Sequence, residues 1–232
     1  MPSGGHAGHQ WWGKLLFMHW PISVELLRPL VPSVLEIDTF EGHAWIAVVP
    51  FTMWGIRPRF VPTIPYLSQA HELNVRTYVH YNGFPGVWFL SLDINQWPGV
   101  FVGRYGFHVP YYKADITLKQ EQQTIDYDLV RTQGPKRATY NASWTIGDAL
   151  PEASAESLES FLTERYCLYA TNGDKLYRSR IWHNAWPLQK ATVHNYRTTT
   201  VEAMGLPTPT GDPLLHYAES LSVRIWLPER LI

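Results

Sequence analysis

Runs of alternating polar and apolar residues recur along this chain, and short turn sequences separate them. Thr39-Phe40-Glu41-Gly42, Asn82-Gly83-Phe84-Pro85, Gln120-Glu121-Gln122-Gln123 and Asn172-Gly173-Asp174-Lys175 each lie between two such runs. A side-chain period of two turns one face of a strand to a core, and turn residues between two such runs specify a hairpin. The hairpins read in this way join 35–38 to 44–53, 72–81 to 86–93, 112–119 to 124–131 and 168–171 to 176–182. Further strands fall at 140–146, 189–199 and 219–227. Helical signals are few. Ser23 is a plausible N-cap for a short helix over 22–30, limited by Pro29 and Pro32. Residues 96–107 can be helical, although Gly99, Gly103 and Gly106 weaken that reading. Ser154 is expected to cap the clearest helix, where Leu158, Phe161, Leu162 and Tyr166 lie at helical spacing. Residues 55–71, with Pro58, Pro62 and Pro65, read as one long loop. The pattern predicts one mainly antiparallel β domain over 1–232, with a few peripheral helices.

Bulk properties narrow the partners. Apolar residues are 45% and charged residues 17% of the 232, a globular balance. The net charge of −1 supplies no basic excess for phosphates, so nucleic acid is not an expected partner. The lone cysteine, Cys167, rules out an internal disulfide, fits a reducing cytoplasm and reads as a buried thiol. The first residues, Met1-Pro2-Ser3-Gly4-Gly5-His6, lack the charged and apolar regions of a signal peptide, and no apolar run is long enough to span a membrane. The chain has ten histidines but no HExxH motif and no Cys/His cluster. His6 and His9 fall in a Gly-rich N-terminus that reads as mobile. Neither a metal nor a cofactor is expected.

One strand carries unusual chemistry. In Glu72-Leu73-Asn74-Val75-Arg76-Thr77, alternation puts Glu72, Asn74 and Arg76 on one face and Leu73 and Val75 on the other. A guanidinium beside an amide and a carboxylate can bind a carboxylate ligand, since arginine's fork matches it. A solvated Glu–Arg pair is the plainer alternative. In the next strand, Ser91 and Asp93 share a face with Phe89 by the same alternation; Ser91 is a ligand-binding candidate, and Asp93 either caps the following helix or has a functional role. His183, within Trp182-His183-Asn184-Ala185-Trp186-Pro187-Leu188, is the best single histidine, either buried and hydrogen-bonded or neutral beside a ligand.

The segment Gly103-Arg104-Tyr105-Gly106-Phe107-His108-Val109-Pro110-Tyr111-Tyr112-Lys113-Ala114 resembles the signature of acetoacetate decarboxylase-like proteins, in which Gly-Arg-Glu is followed by an apolar spacer and Pro-Lys-Lys. The spacer, the Gly-Arg and the Pro are kept, which makes Arg104 a ligand-binding candidate. Both lysine positions are tyrosine. In that family the first lysine forms a Schiff base, and Tyr111 stands in its place. A phenol forms no imine, so Tyr111 and Tyr112 are read as hydrogen-bond donors or proton carriers, with neighbouring side chains on opposite strand faces. Lys113 remains nearby; a one-residue bulge would be needed to turn it inward as a Schiff-base lysine, and a pairing with Asp115 is its ordinary outcome. The resemblance also assigns Glu72 the acid/base role. Leu16-Phe17-Met18-His19-Trp20-Pro21, Leu26-Leu27-Arg28-Pro29-Leu30-Val31-Pro32, Val49-Pro50-Phe51, the Glu72 strand, Gly86-Val87-Trp88-Phe89 and Trp186-Pro187-Leu188-Gln189 together resemble the YqjF-like family of uncharacterised bacterial proteins, which shares that fold.

The resemblance implies a closed or clam-like antiparallel β-barrel around a central cavity, assembled as a homo-oligomer. It implies a cavity for a small carboxylate or keto compound in a cytoplasmic protein, and leaves the reaction open. Lyase, hydratase or isomerase chemistry without an imine is one reading. A non-catalytic binding or sensing module is the second, and a protein-interaction module the third.

Overall fold

The computed structural model describes residues 4–65 and 68–232. Among the described residues thirteen strands form one sheet. In chain order they are β1 (Gly8–Ile22), β2 (Glu36–Ile37), β3 (Ala44–Pro58), β4 (Gln69–Tyr81), β5 (Phe84–Ile94), β6 (Tyr111–Glu121), β7 (Thr124–Arg131), β8 (Thr139–Ala149), β9 (Cys167–Asn172), β10 (Lys175–Trp182), β11 (Leu188–Thr198), β12 (Leu214–Ile225) and β13 (Glu229–Arg230). Three short α-helices lie outside it: α1 (Val24–Leu27), α2 (Trp97–Phe101) and α3 (Leu158–Thr163). A π-helical turn, Val102–Gly106, continues α2.

Three of the four expected hairpins form; the fourth does not, because β2 pairs with β4 rather than with β3, and only an isolated bridge, Phe40 to His43, closes the turn between them. β4 and β5 meet through Asn82-Gly83, both at positive φ (50° and 76°), the conformation a two-residue turn of matching twist requires. β6 and β7 pair antiparallel around Gln122, also at positive φ.

The strand order is β13-β10-β9-β5-β6-β7-β8-β11-β12-β1-β3-β4-β2, and two further pairings, β5–β4 and β10–β12, bend the sheet back on itself. Two rings result, and they share the wall β5-β4-β3-β1-β12. The first ring returns through β6, β7, β8 and β11. Its interior is packed solid with Leu16, Met18, Trp20, Val48, Leu73, Val75, Tyr127, Tyr140 and Trp144. The second returns through β9 and β10, and Phe17, Val49, Phe51, Ile94, Ile181 and Trp186 line its inside. Closure of both rings is partial: β10–β12, β5–β9 and β11–β12 each pair at two positions only. The barrel is mostly antiparallel, with parallel contacts of β5 to β6 and to β9. The free ends of the sheet, β2 and β13, are two residues each.

Several sequence expectations need correction. β1 reads as no strand from alternation, yet it is a 15-residue strand of the shared wall. Its Leu15, Leu16, Phe17 and Met18 are all buried, because both faces of a shared wall are core. His9 therefore lies in a strand rather than a mobile terminus, and its Nε2 is 2.9 Å from Ser222 Oγ. The long loop shrinks: residues 55–58 end β3 and 69–71 begin β4, and positions 66 and 67 of what remains lie outside the described residues. The third helix starts three residues late. Ser157, not Ser154, is its N-cap, accepting from the Ser160 backbone N–H. Among the described residues no helix is long and apolar enough to cross a membrane.

Candidate functional site

The second ring contains a cavity of about 280 Å³. Its walls come from β1 (Gln10, Trp12, Leu15), β3 (Val49, Phe51, Met53), β4 (Glu72, Asn74, Arg76) and β5 (Val87, Phe89, Leu92, Ile94). Pro98, Gly99, Val102 and Gly103 of α2 and its π-helical extension cover one side. Arg165, His183 and Trp186 close another. The lining is mostly apolar, so the few polar groups stand in a low-dielectric setting.

β4 presents the polar row because its other face is committed elsewhere. Leu73 and Val75 pack into the solid ring, and Tyr127 fixes the strand from that side by donating its hydroxyl to the Glu72 carbonyl at 2.9 Å. Alternation then leaves Glu72, Asn74 and Arg76 facing the cavity. Glu72 is 2% exposed. Its Oε2 accepts the Tyr111 hydroxyl at 2.5 Å. Burial pushes the carboxyl up from 4.5 to about 7; the Tyr111 and Asn74 side chains pull it back only partly, and the Asp93 charge adds to the rise. Burial and the adjacent Glu72 hold the Tyr111 phenol well above its ordinary range. Tyr111 is thus a neutral donor whose hydrogen is spent on Glu72.

Arg76 sits farther along the row. Its Cζ lies 5.4 Å from the Phe17 ring centre and 5.8 Å from that of Tyr78. Its Nε is buried without a hydrogen-bond partner, and among the described residues no carboxylate lies within ion-pair distance. Arg165, the other cavity cation, is already occupied: Nη1 binds Asp38 at 2.5 Å and Nε binds the Phe161 carbonyl at 2.6 Å. Arg76 is the cation left to meet an anion.

His183 lines the cavity but its polar edge is turned into the wall. Nδ1 is 2.7 Å from the Asn184 carbonyl, and the ring packs on Tyr166 (4.7 Å between centres) and Trp186 (5.2 Å). Burial lowers its proton affinity, so it is neutral at pH 7.

Three candidates fall outside the cavity. β4 and β5 pair as Val75↔Ser91 and Arg76↔Phe89, so Leu90 is an extra residue, a β-bulge. Val87 and Phe89 face the cavity before the bulge, Leu92 and Ile94 after it. Ser91 and Asp93 are thereby turned to the opposite side, which separates them from Phe89. Ser91 is fully buried there and its hydroxyl has no partner. Asp93 takes Arg131 in a two-pronged ion pair, 2.6 and 2.7 Å, rather than capping α2. Tyr112 also faces away; Arg131 covers its ring at 4.4 Å and Arg104 at 5.5 Å. Arg104 does not line the cavity either. Its Nε binds the Tyr111 carbonyl at 2.6 Å, so it supports Tyr111 from behind. Lys113 Nζ binds the Ala114 carbonyl and lies 3.5 Å from Asp115, outside the lining, as its ordinary reading expects.

Glycine matters at Gly103. A Cβ there would stand 2.0 Å from Tyr111 Cδ2, so only glycine lets the ring lie against the turn. The sequence reading misses Arg165, which follows α3 with no motif around it.

Residues 9–222 match a family described as an uncharacterised conserved protein, DUF2071. The chain belongs to that family. Its relative YqjF of Bacillus subtilis (strain 168), itself described as uncharacterised, is 42% identical over 226 residues, covering 97% of this chain and 93% of the relative. Solved structures of the acetoacetate decarboxylase-like fold are similar at low identity. The enduracididine biosynthesis enzyme MppR complexed with pyruvate superposes with a TM-score of 0.69 at 12% identity, covering 99% of this chain and 92% of that one. An acetoacetate decarboxylase-like enzyme from Sphingomonas wittichii RW1 gives 0.66 at 14%, covering 98% and 94%. An acetoacetate decarboxylase gives 0.62 at 17%, covering 99% and 90%. At these identities the likeness shows the fold, which the family shares.

Proposed function

We propose that the cavity binds a small organic carboxylate or keto compound with an apolar body, and that Glu72 moves a proton on it without an imine. The observation that carries this reading is the β4 row: an arginine with no carboxylate partner two residues from an amide and four from a buried carboxyl poised near neutrality. Arg76 anchors the ligand's carboxylate. The apolar walls take its body. Glu72, ionised in part at pH 7, accepts the hydrogen on the carbon beside a carbonyl, leaving an enolate, and returns it to that carbon or a neighbour. Tyr111 aligns Glu72 through its hydroxyl. No lysine lines the cavity among the described residues, which supports lyase, hydratase or isomerase chemistry over Schiff-base decarboxylation. The solved neighbours are enzymes, one of them holding pyruvate, which supports the same class of ligand.

Replacing Arg76 by Ala is expected to weaken carboxylate binding about 10- to 100-fold, the scale of a charge-assisted hydrogen bond. Calorimetric titration with phenylacetate and related acids checks it. Equal affinity of the two proteins would remove the anchor role.

The chain also exposes Trp97 (56%), Phe101 (65%), Val102 (53%) and Tyr105 (70%) along α2 and its π-helical extension. Apolar side chains concentrated in this way support self-association. Light scattering is expected to give a multiple of the 26.8 kDa chain mass; the single-chain value would refute it.

A further inference from the structure

One end of the barrel presents cations and bare apolar side chains together. Arg57 of β3, His9 of β1 and Arg224 of β12 are direct cross-strand neighbours, and Trp182 of β10 lies opposite Arg224. Their chain neighbours Ile56, Gln10, Ile225 and Ile181 line the cavity, so alternation turns this row to the outer face. Arg224 Cζ is 5.3 Å from the Trp182 ring centre, and Trp11, the next residue of β1 on that face, is 39% exposed. The segments that form this end, 1–24, 42–71, 175–201 and 220–228, contain no Asp or Glu. Glu219, farther back on β12, accepts the Tyr217 hydroxyl at 2.5 Å. Arg57 and Arg59 are exposed, and among the described residues neither has a carboxylate within ion-pair distance. In a chain of net charge −1, this end is a basic one.

The loop after β3 carries the apolar part. Phe60 is 88% exposed, Ile64 52% and Val61 39%. The loop is pinned at its base. The Arg59 N–H donates to the Ala7 carbonyl at 2.8 Å; the Ile64 N–H donates to Ser68 Oγ at 2.8 Å, and the Ile64 carbonyl accepts the Ser68 N–H at 2.9 Å. Phe60 holds φ at 66°, a left-handed conformation that bulky residues rarely take. Its ring centre lies 4.5 Å from Arg59 Cζ, against a cation rather than a core. Apolar tips held out beside cations suit an occupant that is anionic at its surface and apolar beneath. An acidic protein offers the charge but needs a pocket shaped for each tip. A bilayer takes projections of any shape, and indole rings such as those of Trp11 and Trp182 favour its interface.

We propose that this end of the barrel docks on an anionic phospholipid bilayer, with Phe60 and Ile64 at the acyl boundary and Arg57, Arg59 and Arg224 among the headgroups. Such docking needs no spanning segment and no ligand in the cavity. It sets the side of the chamber lined by Ile56 and Ile225 toward the membrane.

Vesicle sedimentation with the full chain tests this. Vesicles of phosphatidylcholine and phosphatidylglycerol in equal parts are expected to bind roughly 100-fold tighter than phosphatidylcholine alone, the summed attraction of three arginines for an anionic surface. Added salt is expected to weaken that binding. Phe60→Asn with Ile64→Ser is expected to lower the affinity roughly tenfold or more without moving the melting temperature, since both side chains are exposed and asparagine tolerates the left-handed turn. Arg57→Gln with Arg59→Gln is expected to lower binding to the mixed vesicles by a similar factor. Equal binding to the two vesicle types, or none to either, overturns the proposal; the second result leaves the face to an acidic protein. Binding that falls with the arginines but ignores Phe60→Asn with Ile64→Ser overturns it as well, because cations alone then adsorb and the loop takes no part.

Discussion

Glu72→Gln is expected to make the protein more stable at pH 8 while slowing the proposed proton transfer. The folded state holds the Glu72 carboxyl at about 7, against 4.5 for the free group. Between those values the folded protein keeps a proton that the unfolded chain releases. Stability therefore falls as pH rises from about 4.5 to 7 and stays low above it. The drop from this one group is on the order of 3 kcal/mol. Glutamine has no charge to desolvate, so the variant loses this part of the pH slope. Urea melts at pH 5 and pH 8 on both proteins isolate the difference. Identical slopes would mean that Glu72 titrates normally. The same substitution removes the proposed proton acceptor, and a positioned acid/base group contributes about 10²- to 10⁴-fold in rate. Exchange of a keto acid's α-hydrogens with solvent deuterium, followed by NMR, reads that loss. A gain in stability coupled to a loss in turnover separates a functional carboxyl from a structural one, since removing a structural group costs stability.

The opposite outcome is expected at Asp93. Its carboxylate and the Arg131 guanidinium are 0% and 1% exposed and joined at 2.6 Å. Burial raises the Asp93 carboxyl and Arg131 pulls it back. Asp93→Asn leaves the arginine buried with half its partner gone, at a cost of about 3–5 kcal/mol. For a chain of this length that lowers the melting temperature by roughly 10 °C. Adding Arg131→Met to Asp93→Asn should recover part of the loss, because the stranded charge goes with it. Differential scanning calorimetry of the two variants checks both statements. A double variant no better than the single would show that Arg131 matters through Tyr112, which it covers, more than through Asp93.

The sequence carries the site better than the wall around it. Glu72, Asn74 and Arg76 are legible because β4 alternates: three polar residues on one face stand out against Leu73 and Val75. The neighbouring strand is not legible in the same way. Leu90 inserts one residue with no glycine or proline to mark it, and the period-two rule then sends Ser91 and Asp93 to the wrong side. Tyr111 and Tyr112 show the rule working within its range, one ring in the cavity and its neighbour outside. β1 escapes alternation because it has no solvent face. Three of the hairpins are legible because turn chemistry is local, while the turn at 39–42 misleads because β2 takes β4, not β3, as its neighbour. The pairings β5–β4 and β10–β12 that bend the sheet are not, since they join segments whose sequences do not mention each other. A motif can also keep a residue and give it different work. Arg104 holds the Tyr111 backbone and touches no ligand space.

The brevity of β2 and β13 limits how copies of this chain can meet. A strand from another molecule, laid along either end of the sheet, finds two residues of open backbone and then nothing. At these two ends fibre-like growth by adding strand to strand has no template long enough to begin. Side chains offer another contact, and the exposed rings of Trp97, Phe101 and Tyr105 sit on the element that covers the cavity. A neighbour seated on those rings would press on the roof of the chamber, so crowding at the surface and occupancy within would be felt by the same ten residues of chain.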